Sequence, residues 1–346
     1  MINRSWIFVL LCFTLALSGF RSTPQPEVII LTSGTKTSIR GLSVVNDNVI
    51  WVSGSNGIVG KSTNAGKNWN WITVQGYEKT EFRDIEAFDA NTAIIMGIAE
   101  PAYILKTTDG GNTWKMVYEN KTKGMFLDAM DFSTPLHGLV VGDPIDNKLF
   151  LAETLDGGTT WKQKLFVAPH AATDSGEAFF AASGTNIRLF ENNEFFIVSG
   201  GKRSRLITRD RAVLLPFQQG LETAGANSID IFDDGIPDKP SKSMVVVGGD
   251  FGKDAKQSAL CFISSNGGKS WKAASDPPHG YRSCVEFVSK TELVACGLNG
   301  VDFSASRGKS WILISDESFN VCRIARMGSA VFLAGENGKI GKLNFR

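Results

Sequence analysis

Three arginines occupy matching places in three short phrases that each begin with a large apolar or aromatic residue. Arg40 follows Ile39, Arg83 follows Phe82 and Arg282 follows Tyr281. A guanidinium group presents paired N–H donors that fit the two oxygens of a carboxylate or the oxygens of a phosphate. If the fold brings these three side chains together, they predict a binding site for an acidic ligand.

Further polar residues accompany the arginines, either in the next position or in the neighbouring turns and connections. Carboxyl groups placed in this way could bind a ligand or act as general acid and base on a glycoside. We take as candidate catalytic residues Asp143, Glu177 and Tyr281. The candidate ligand-binding residues are Arg40, Arg83, Asp84, Asp128, Asp143, Glu177, Asn186, Asp250, Tyr281 and Arg282. The alternative is that the same charges form a structural network of ion pairs.

A second pattern shows which elements position these residues. The phrase Ser/Thr-x-Asp/Asn-x-Gly-x-Ser/Thr-Trp, with minor variations, begins at Ser62, Thr107, Thr154, Ser264 and Ser304. Its third residue can accept hydrogen bonds from backbone N–H groups about two positions on, its Gly permits positive φ, and its Trp enters the core. Each phrase therefore predicts a tight hairpin turn, and a regular recurrence of this kind predicts a repeat architecture.

Two more phrases recur seven times around these turns: the start of an inner strand, and an apolar strand that ends in Gly. They predict an all-β chain folded as one seven-bladed β-propeller of four-stranded antiparallel blades; six blades with an irregular fourth segment is the alternative. The last blade has only three strands of its own. We expect residues 28–31 to supply its fourth strand and close the ring, which removes exposed sheet edges.

Alternating strand direction sorts the polar residues by face. The inner strands begin on one face of the propeller, whereas the repeated turns lie on the opposite face. The candidate site residues therefore converge at the mouth of the central channel on the first face, where a concave, charge-lined surface is the default binding-site hypothesis.

Composition narrows the functional classes. The chain has 346 residues with a net charge of +1, which argues against a nucleic-acid surface. Residues 1–20 have the pattern of a secretory signal peptide, so we expect one domain over residues 27–346, exported to the periplasm or outside the cell.

We expect a monomer with no transmembrane segment in the mature chain. Neither a metal-ligand spacing nor a cofactor motif occurs, so we expect no metal and no cofactor.

Four cysteines remain after the signal peptide: Cys261, Cys284, Cys296 and Cys322. A hairpin register that pairs Phe287 with Leu293 also pairs Cys284 with Cys296. A disulfide between them and buried free thiols are both open, since an oxidising compartment permits the former and core packing favours the latter.

The repeated turn resembles the Asp-box (BNR) repeat of sialidases and related propellers. This resemblance implies that the three arginines bind a carboxylate, with a Tyr nucleophile paired to a Glu. The Arg-Ile-Pro signature of sialidases is absent, since Arg40 is followed by Gly41 and Leu42. Over nearly the whole mature chain, residues 38–45, 82–88, 141–144, 178–185 and 280–283 look like bacterial propellers similar to the photosystem II stability/assembly factor. That family implies a scaffold that holds a protein partner.

The two resemblances lead to two hypotheses. The first is an exported propeller that binds an acidic peptide, glycan or protein partner through the Arg/Asp-lined mouth and catalyses nothing. The alternative is a glycoside hydrolase that uses carboxyl groups at the same place. An oxidoreductase is unsupported, because no Gly-x-Gly-x-x-Gly follows a strand and opens a helix.

Overall fold

The structure is a computed structural model that describes residues 25–166, 172–232, 234, 240–253 and 259–345. The predicted signal peptide, residues 1–20, lies outside the described residues. Over the described residues the chain forms seven antiparallel sheets, and the predicted seven-bladed propeller is confirmed.

The first three blades have four strands each, in chain order from the channel outward. Blade 1 contains Ile39–Val44, Ile50–Gly54, Ile58–Ser62 and Asn70–Thr73. Blade 2 contains Phe82–Ala87, Ala93–Gly97, Ala102–Thr107 and Lys115–Asn120. Blade 3 contains Leu127–Phe132, Gly138–Ile145, Lys148–Thr154 and Lys162–Gln163.

The next three blades repeat this plan. Blade 4 contains Ile187–Leu189, Phe195–Val198, Arg205–Thr208 and Ala212–Leu214. Blade 5 contains Ala224–Ile231, Met244–Asp250, Cys261–Ser264 and Lys272–Ala273, and its sheet is extended by Gly200–Gly201 and Glu177–Ala178. Blade 6 contains Cys284–Phe287, Leu293–Gly297, Gly300–Ser304 and Ile312–Ser315.

Blade 7 joins the two ends of the chain. Its own strands are Val321–Ile324, Val331–Ala334 and Ile340–Asn344, and a short 3-10 turn covers Glu336–Gly338. The N-terminal strand Glu27–Thr32 pairs antiparallel with Ile340–Asn344 as the outermost strand. The predicted closure of the ring by the N-terminal strand is therefore present. Among the described residues, no helix has the length and apolar character needed to span a membrane.

The repeated turns have the predicted positive-φ glycines, but their side chains bond to backbone N–H groups further along the chain than predicted. The Gly of all five turns has positive φ, between +76° at Gly158 and +90° at Gly111. The side chain of the third residue accepts a hydrogen bond from the backbone N–H four positions on, as between Asp109 and Thr113 at 2.9 Å, rather than two. The first residue also contributes, since the Thr107 hydroxyl accepts from the Gly111 N–H at 3.0 Å. Each turn is thus closed by two side chains.

Two of these glycines give a matched test of the turn. Gly158 and Gly308 have nearly the same φ, +76° and +79°. A Cβ at Gly158 would lie 2.2 Å from Ile94 Cδ1, whereas at Gly308 the nearest atom is 3.2 Å away. We expect Gly308→Ala to lower the free energy of unfolding by about 1–2 kcal/mol from backbone strain alone. Gly158→Ala adds overpacking of about 1–3 kcal/mol, which urea denaturation would measure. Equal losses in the two variants would contradict this account.

Neighbouring blades are joined by acidic side chains on their inner strands. Asp84 accepts a hydrogen bond from the Met130 N–H of the next blade at 2.7 Å, and Asp131 accepts one from Leu189 at 2.6 Å. Asp230 accepts from Phe287 at 2.6 Å in the same way. Because a buried backbone N–H needs a partner, these carboxylates contribute to the ring itself. Many inner-strand polar residues therefore have a structural role.

Candidate ligand-binding recess

A recess of about 390 Å³ lies where the inner strands begin, at one mouth of the central channel. We call it the funnel recess. Inner strands or the residues just before them contribute Arg40, Arg83, Asn227, Ser283 and Asn320 to its wall. The remaining lining residues are Phe126, Asp143, Ala178, Phe179, Phe180, Ala181, Ala182, Phe251, Tyr281 and Leu298.

A β-bulge aims Arg40 and Arg83 into the recess. The strand register shifts between Ile39 and Gly41 and again between Phe82 and Asp84, so each arginine is the extra, unpaired residue of its strand. A bulge of this kind commonly redirects a side chain next to a functional site. The local backbone therefore places two guanidinium groups from adjacent blades at the same rim.

Arg282 does not hold the equivalent position that the sequence pattern assigned to it. In blade 2, Phe82 pairs with Gly97, the glycine that ends the second strand. The corresponding glycine of blade 6 is Gly297, and the Arg282 Cα would lie 3.1 Å from a Cβ built there. Arg282 therefore stands where Phe82 stands, and regular pairing follows from Cys284 onward. Because successive strand side chains alternate between faces, this one-residue difference turns Arg282 away from the recess. The residue at the Arg83 position in blade 6 is Ser283, which does line the recess.

Positive charge is concentrated at the rim. Burial lowers the pKa of Arg40, and the nearby charge of Arg83 lowers it further. Arg83 bonds to Glu81 at 2.8 and 2.5 Å, whereas Arg40 donates to the Ala182 carbonyl at 3.3 Å. Over the part of the chain that the structure describes, Arg40 forms no ion pair. An anion placed between the two guanidinium groups would relieve their repulsion.

The connection before blade 4 crosses the channel and forms the floor of the recess. We call residues 178–186 the plug segment. Its Ala182 carbonyl meets Arg40, its Ser183 hydroxyl donates to the Ser283 carbonyl at 2.7 Å, and its Thr185 hydroxyl donates to Ser228 at 2.7 Å. These contacts reach blades 1, 6 and 5. The plug segment thus lines the recess from below and leaves it open to solvent above.

Three candidate residues lie buried below the rim. Asp84 accepts backbone hydrogen bonds from Ile85 and Met130, and Asn186 donates to the Phe180 carbonyl at 3.3 Å. Burial raises the pKa of Asp128 well above its usual range, and the neighbouring carboxylate of Asp143 adds to this, although Arg83 opposes it. None of these three side chains lines the recess.

Glu177, Asp250 and Arg282 lie outside the lining of the recess. The Glu177 carboxylate is fully buried and accepts two hydrogen bonds from Arg205, each of 2.8 Å. Asp250 is buried and accepts from the Gly252 N–H at 3.0 Å. Arg282 is 0% exposed and pairs with Asp302, with Nε 2.7 Å from the carboxylate. Each of the three has a structural partner.

Asp143 and Tyr281, the other two catalytic candidates, do reach the recess. Burial raises the pKa of Asp143, and its carboxylate accepts a hydrogen bond from the Phe179 N–H at 2.9 Å. The Tyr281 hydroxyl donates to Asn227 at 2.8 Å, and burial raises its pKa. Asp143 is the one carboxylate among the described lining residues. Of the three catalytic candidates, Asp143 and Tyr281 therefore line the recess and Glu177 does not.

Sequence reasoning did not identify the apolar wall of the recess. Phe251 and Leu298 are 41% and 40% exposed, and Phe180 packs edge-on against Phe251 with ring centroids 5.5 Å apart. Arg83 lies over the ring of Phe126 at 5.9 Å. The consecutive phenylalanines at 179 and 180 were the available signal, because apolar residues in a polar connection need a partner to pack against. The recess thus combines a cationic side with an aromatic side.

The opposite mouth of the channel holds a network of ion pairs formed by residues that are not among the candidates named from the sequence. Arg188 pairs with Asp230 at 2.9 Å and with Glu286 at 3.2 Å, Arg323 pairs with Glu286 at 3.4 Å, and Arg326 pairs with Glu86 at 3.0 Å. These groups surround a cavity of about 170 Å³ on the face of the repeated turns. Their charges are matched with one another, in contrast to Arg40.

Comparison with solved structures finds other propellers across almost the whole chain. A structure described as YCF48 bound to D1 peptide matches with a TM-score of 0.64 and 17% identity, covering 96% of this chain and 99% of that one. YCF48 from Cyanidioschyzon merolae matches with a TM-score of 0.63 and 16% identity, covering 92% and 98%. The WD40 propeller domain of Doa1 matches with a TM-score of 0.61 and 12% identity, covering 93% and 98%.

These likenesses establish the propeller fold and leave the ligand to the chemistry of the site. The sequence matches no protein-family model. It also matches no curated protein sequence. The likeness to YCF48 agrees with the expected resemblance to assembly-factor propellers at the level of structure.

Proposed function

We propose that this protein is an exported scaffold that binds an acidic, partly apolar segment of a protein partner in the funnel recess. The carboxylate of the segment pairs with Arg40 and Arg83, and a neighbouring apolar side chain packs against Phe251 and Leu298. Export follows from the signal-like residues 1–20, and N-terminal sequencing of the secreted chain would check it. In this proposal the funnel recess binds the partner segment and catalyses no reaction on it.

The observation that carries this proposal is the Arg40–Arg83 pair. Both guanidinium groups stand beside an aromatic wall, burial and the charge of Arg83 lower the pKa of Arg40, and Arg40 forms no ion pair with a described carboxylate. Arg40 is half-buried, and a charge that is partly removed from water gains from an anionic partner. The plug segment keeps the recess shallow, which suits an extended segment better than an enclosed small substrate.

The structural neighbour supports a polypeptide as the ligand. That YCF48 propeller is described as bound to a D1 peptide, and its fold covers nearly all of this chain. A propeller of this size can therefore hold a peptide. The choice of an acidic segment rests on the charges of the funnel recess.

Loss of either rim arginine is expected to weaken binding without unfolding the protein. The probe is a pool of short fluorescent peptides with Asp and Glu beside Leu and Phe, compared with a pool carrying Asn and Gln instead. Charge-assisted hydrogen bonds contribute about 1.5–3 kcal/mol, so Arg40→Ala and Arg83→Ala should each raise Kd by about 10–100-fold. Fluorescence anisotropy at two salt concentrations would measure the change.

Arg307→Ala is the matched control, because it removes the same charge from a repeated turn on the opposite face. It should leave the peptide Kd unchanged. Equal weakening by all three variants would show only a general charge effect and would contradict the proposal. Hydrolysis of aryl glycosides that is lost in Asp143→Asn would instead support the glycosidase alternative.

A further inference from the structure

Three of the four cysteines after the signal-like segment bring their sulfur atoms together between blades 6 and 7. Cys284 and Cys296 face one another across the inner hairpin of blade 6, in the register predicted from sequence. Cys322 projects from the inner strand of blade 7. The three Sγ atoms all lie within 4.8 Å of one another, and the Cys284 and Cys322 sulfurs are 3.6 Å apart. All three thiols are free and 0% exposed.

This spacing fits three sulfur ligands around one ion. With metal–sulfur bonds of about 2.3 Å, three thiolates in a plane around a metal stand about 4 Å apart, so small side-chain rotations complete the site. Within the described residues, the His, Cys, Asp and Glu side chains that converge here are these three cysteines. Structural zinc takes four ligands, whereas a sulfur-only set with fewer ligands suits the softer Cu(I) ion.

Polar contacts also converge on the Cys284 sulfur, since the Cys322 thiol donates to it at 3.6 Å. The backbone N–H of Cys322 also donates to the Cys284 sulfur at 3.4 Å. An ion that binds all three sulfur atoms must displace the protons of the thiols.

We propose that Cys284, Cys296 and Cys322 bind one Cu(I) ion that links blade 6 to blade 7. Two strands of blade 6 and one of blade 7 supply the ligands, at the joint beside the blade that the N-terminal strand completes. Because the sulfurs are fully buried, the ion is incorporated while the ring closes. Cu(I) enters and remains in the same oxidation state, and the protons of the bound thiols pass to solvent.

The test is to unfold the full chain anaerobically with a reductant and refold it with and without Cu(I). After desalting, copper content and thiolate-to-copper charge-transfer absorption are measured, and X-ray absorption of the loaded wild type reports the ligand atoms. We expect one copper per chain, a sulfur-only shell and a higher unfolding temperature. Cys284→Ala and Cys322→Ala should lose the bound copper and the absorption band.

Cys261→Ala is the matched control, because Cys261 is buried in blade 5 outside the cluster. It should bind copper like the wild type. Copper retained by Cys284→Ala, zinc bound in preference to copper, or a disulfide within the cluster of the native protein would each overturn the proposal. If either cluster variant fails to fold, the X-ray absorption spectrum of the wild type still decides, since nitrogen or oxygen ligands would also overturn it.

Discussion

Arg282→Ala is expected to lose about 3–5 kcal/mol of its free energy of unfolding, the usual cost of removing one partner of a buried ion pair. The Arg282 guanidinium bonds to Asp302 at 2.7 Å, to the Tyr281 carbonyl at 2.8 Å and to Asn299 at 2.5 Å. Its removal leaves the Asp302 carboxylate, which is 1% exposed, without its cation. Urea denaturation followed by tryptophan fluorescence would measure the loss.

Arg83→Ala is the control for this prediction, because its ion pair with Glu81 is partly exposed and such pairs contribute about 0–1 kcal/mol. A wild-type stability for Arg282→Ala would contradict the assigned role. The contrast also bears on ligand binding, since lost binding in Arg282→Ala would follow from a damaged fold. The two arginines occupy similar sequence phrases, but we expect Arg282→Ala to lose stability and Arg83→Ala to lose ligand binding.

Asp128→Asn is expected to stabilise the protein at neutral pH. The folded state raises the pKa of Asp128 well above its usual range, mainly by burial. The folded protein therefore keeps a proton that the unfolded chain loses above about pH 4, so stability falls as pH rises from that value toward the folded pKa. Asn has no proton to lose, so replacing the buried carboxyl should add about 1–3 kcal/mol to the free energy of unfolding at neutral pH.

The measurement is the free energy of unfolding at several pH values between about 4 and 8, where the gain of Asp128→Asn should grow with pH. Asn is accommodated at this position, since Asn227 is the bulged residue of blade 5 as Asp128 is of blade 3. Asp156→Asn serves as the control with the opposite sign. Backbone and side-chain hydrogen bonds from Thr160 lower the pKa of Asp156 to about 2, so this carboxylate stabilises the fold at neutral pH. A pH-independent gain for Asp128→Asn would contradict the prediction.

Only some of the site residues predicted from the sequence line the recess. Arg40, Arg83, Asp143 and Tyr281 do line one recess, because the alternating strand direction of a propeller follows from the repeat. Glu177 has the same chemistry in the sequence but pairs with Arg205, a residue 28 positions away that no local pattern links to it. Arg282 shares its local phrase with Arg83, but it stands one register position earlier in blade 6, so its side chain points away from the recess and Ser283 lines it instead. The register of a strand depends on how it pairs with its neighbour, and a short sequence phrase does not predict that pairing.

The sequence alone predicted the seven blades, the five repeated turns between outer strands and the strand that closes the ring, all of which the structure contains. These features depend on local backbone conformation and on apolar alternation, both of which repeat in the chain. Only the tertiary structure decided that residues 178–186 form the floor of the funnel recess and that three cysteines meet between two blades. Such contacts join residues far apart in sequence, so their geometry exists only once the whole ring has closed.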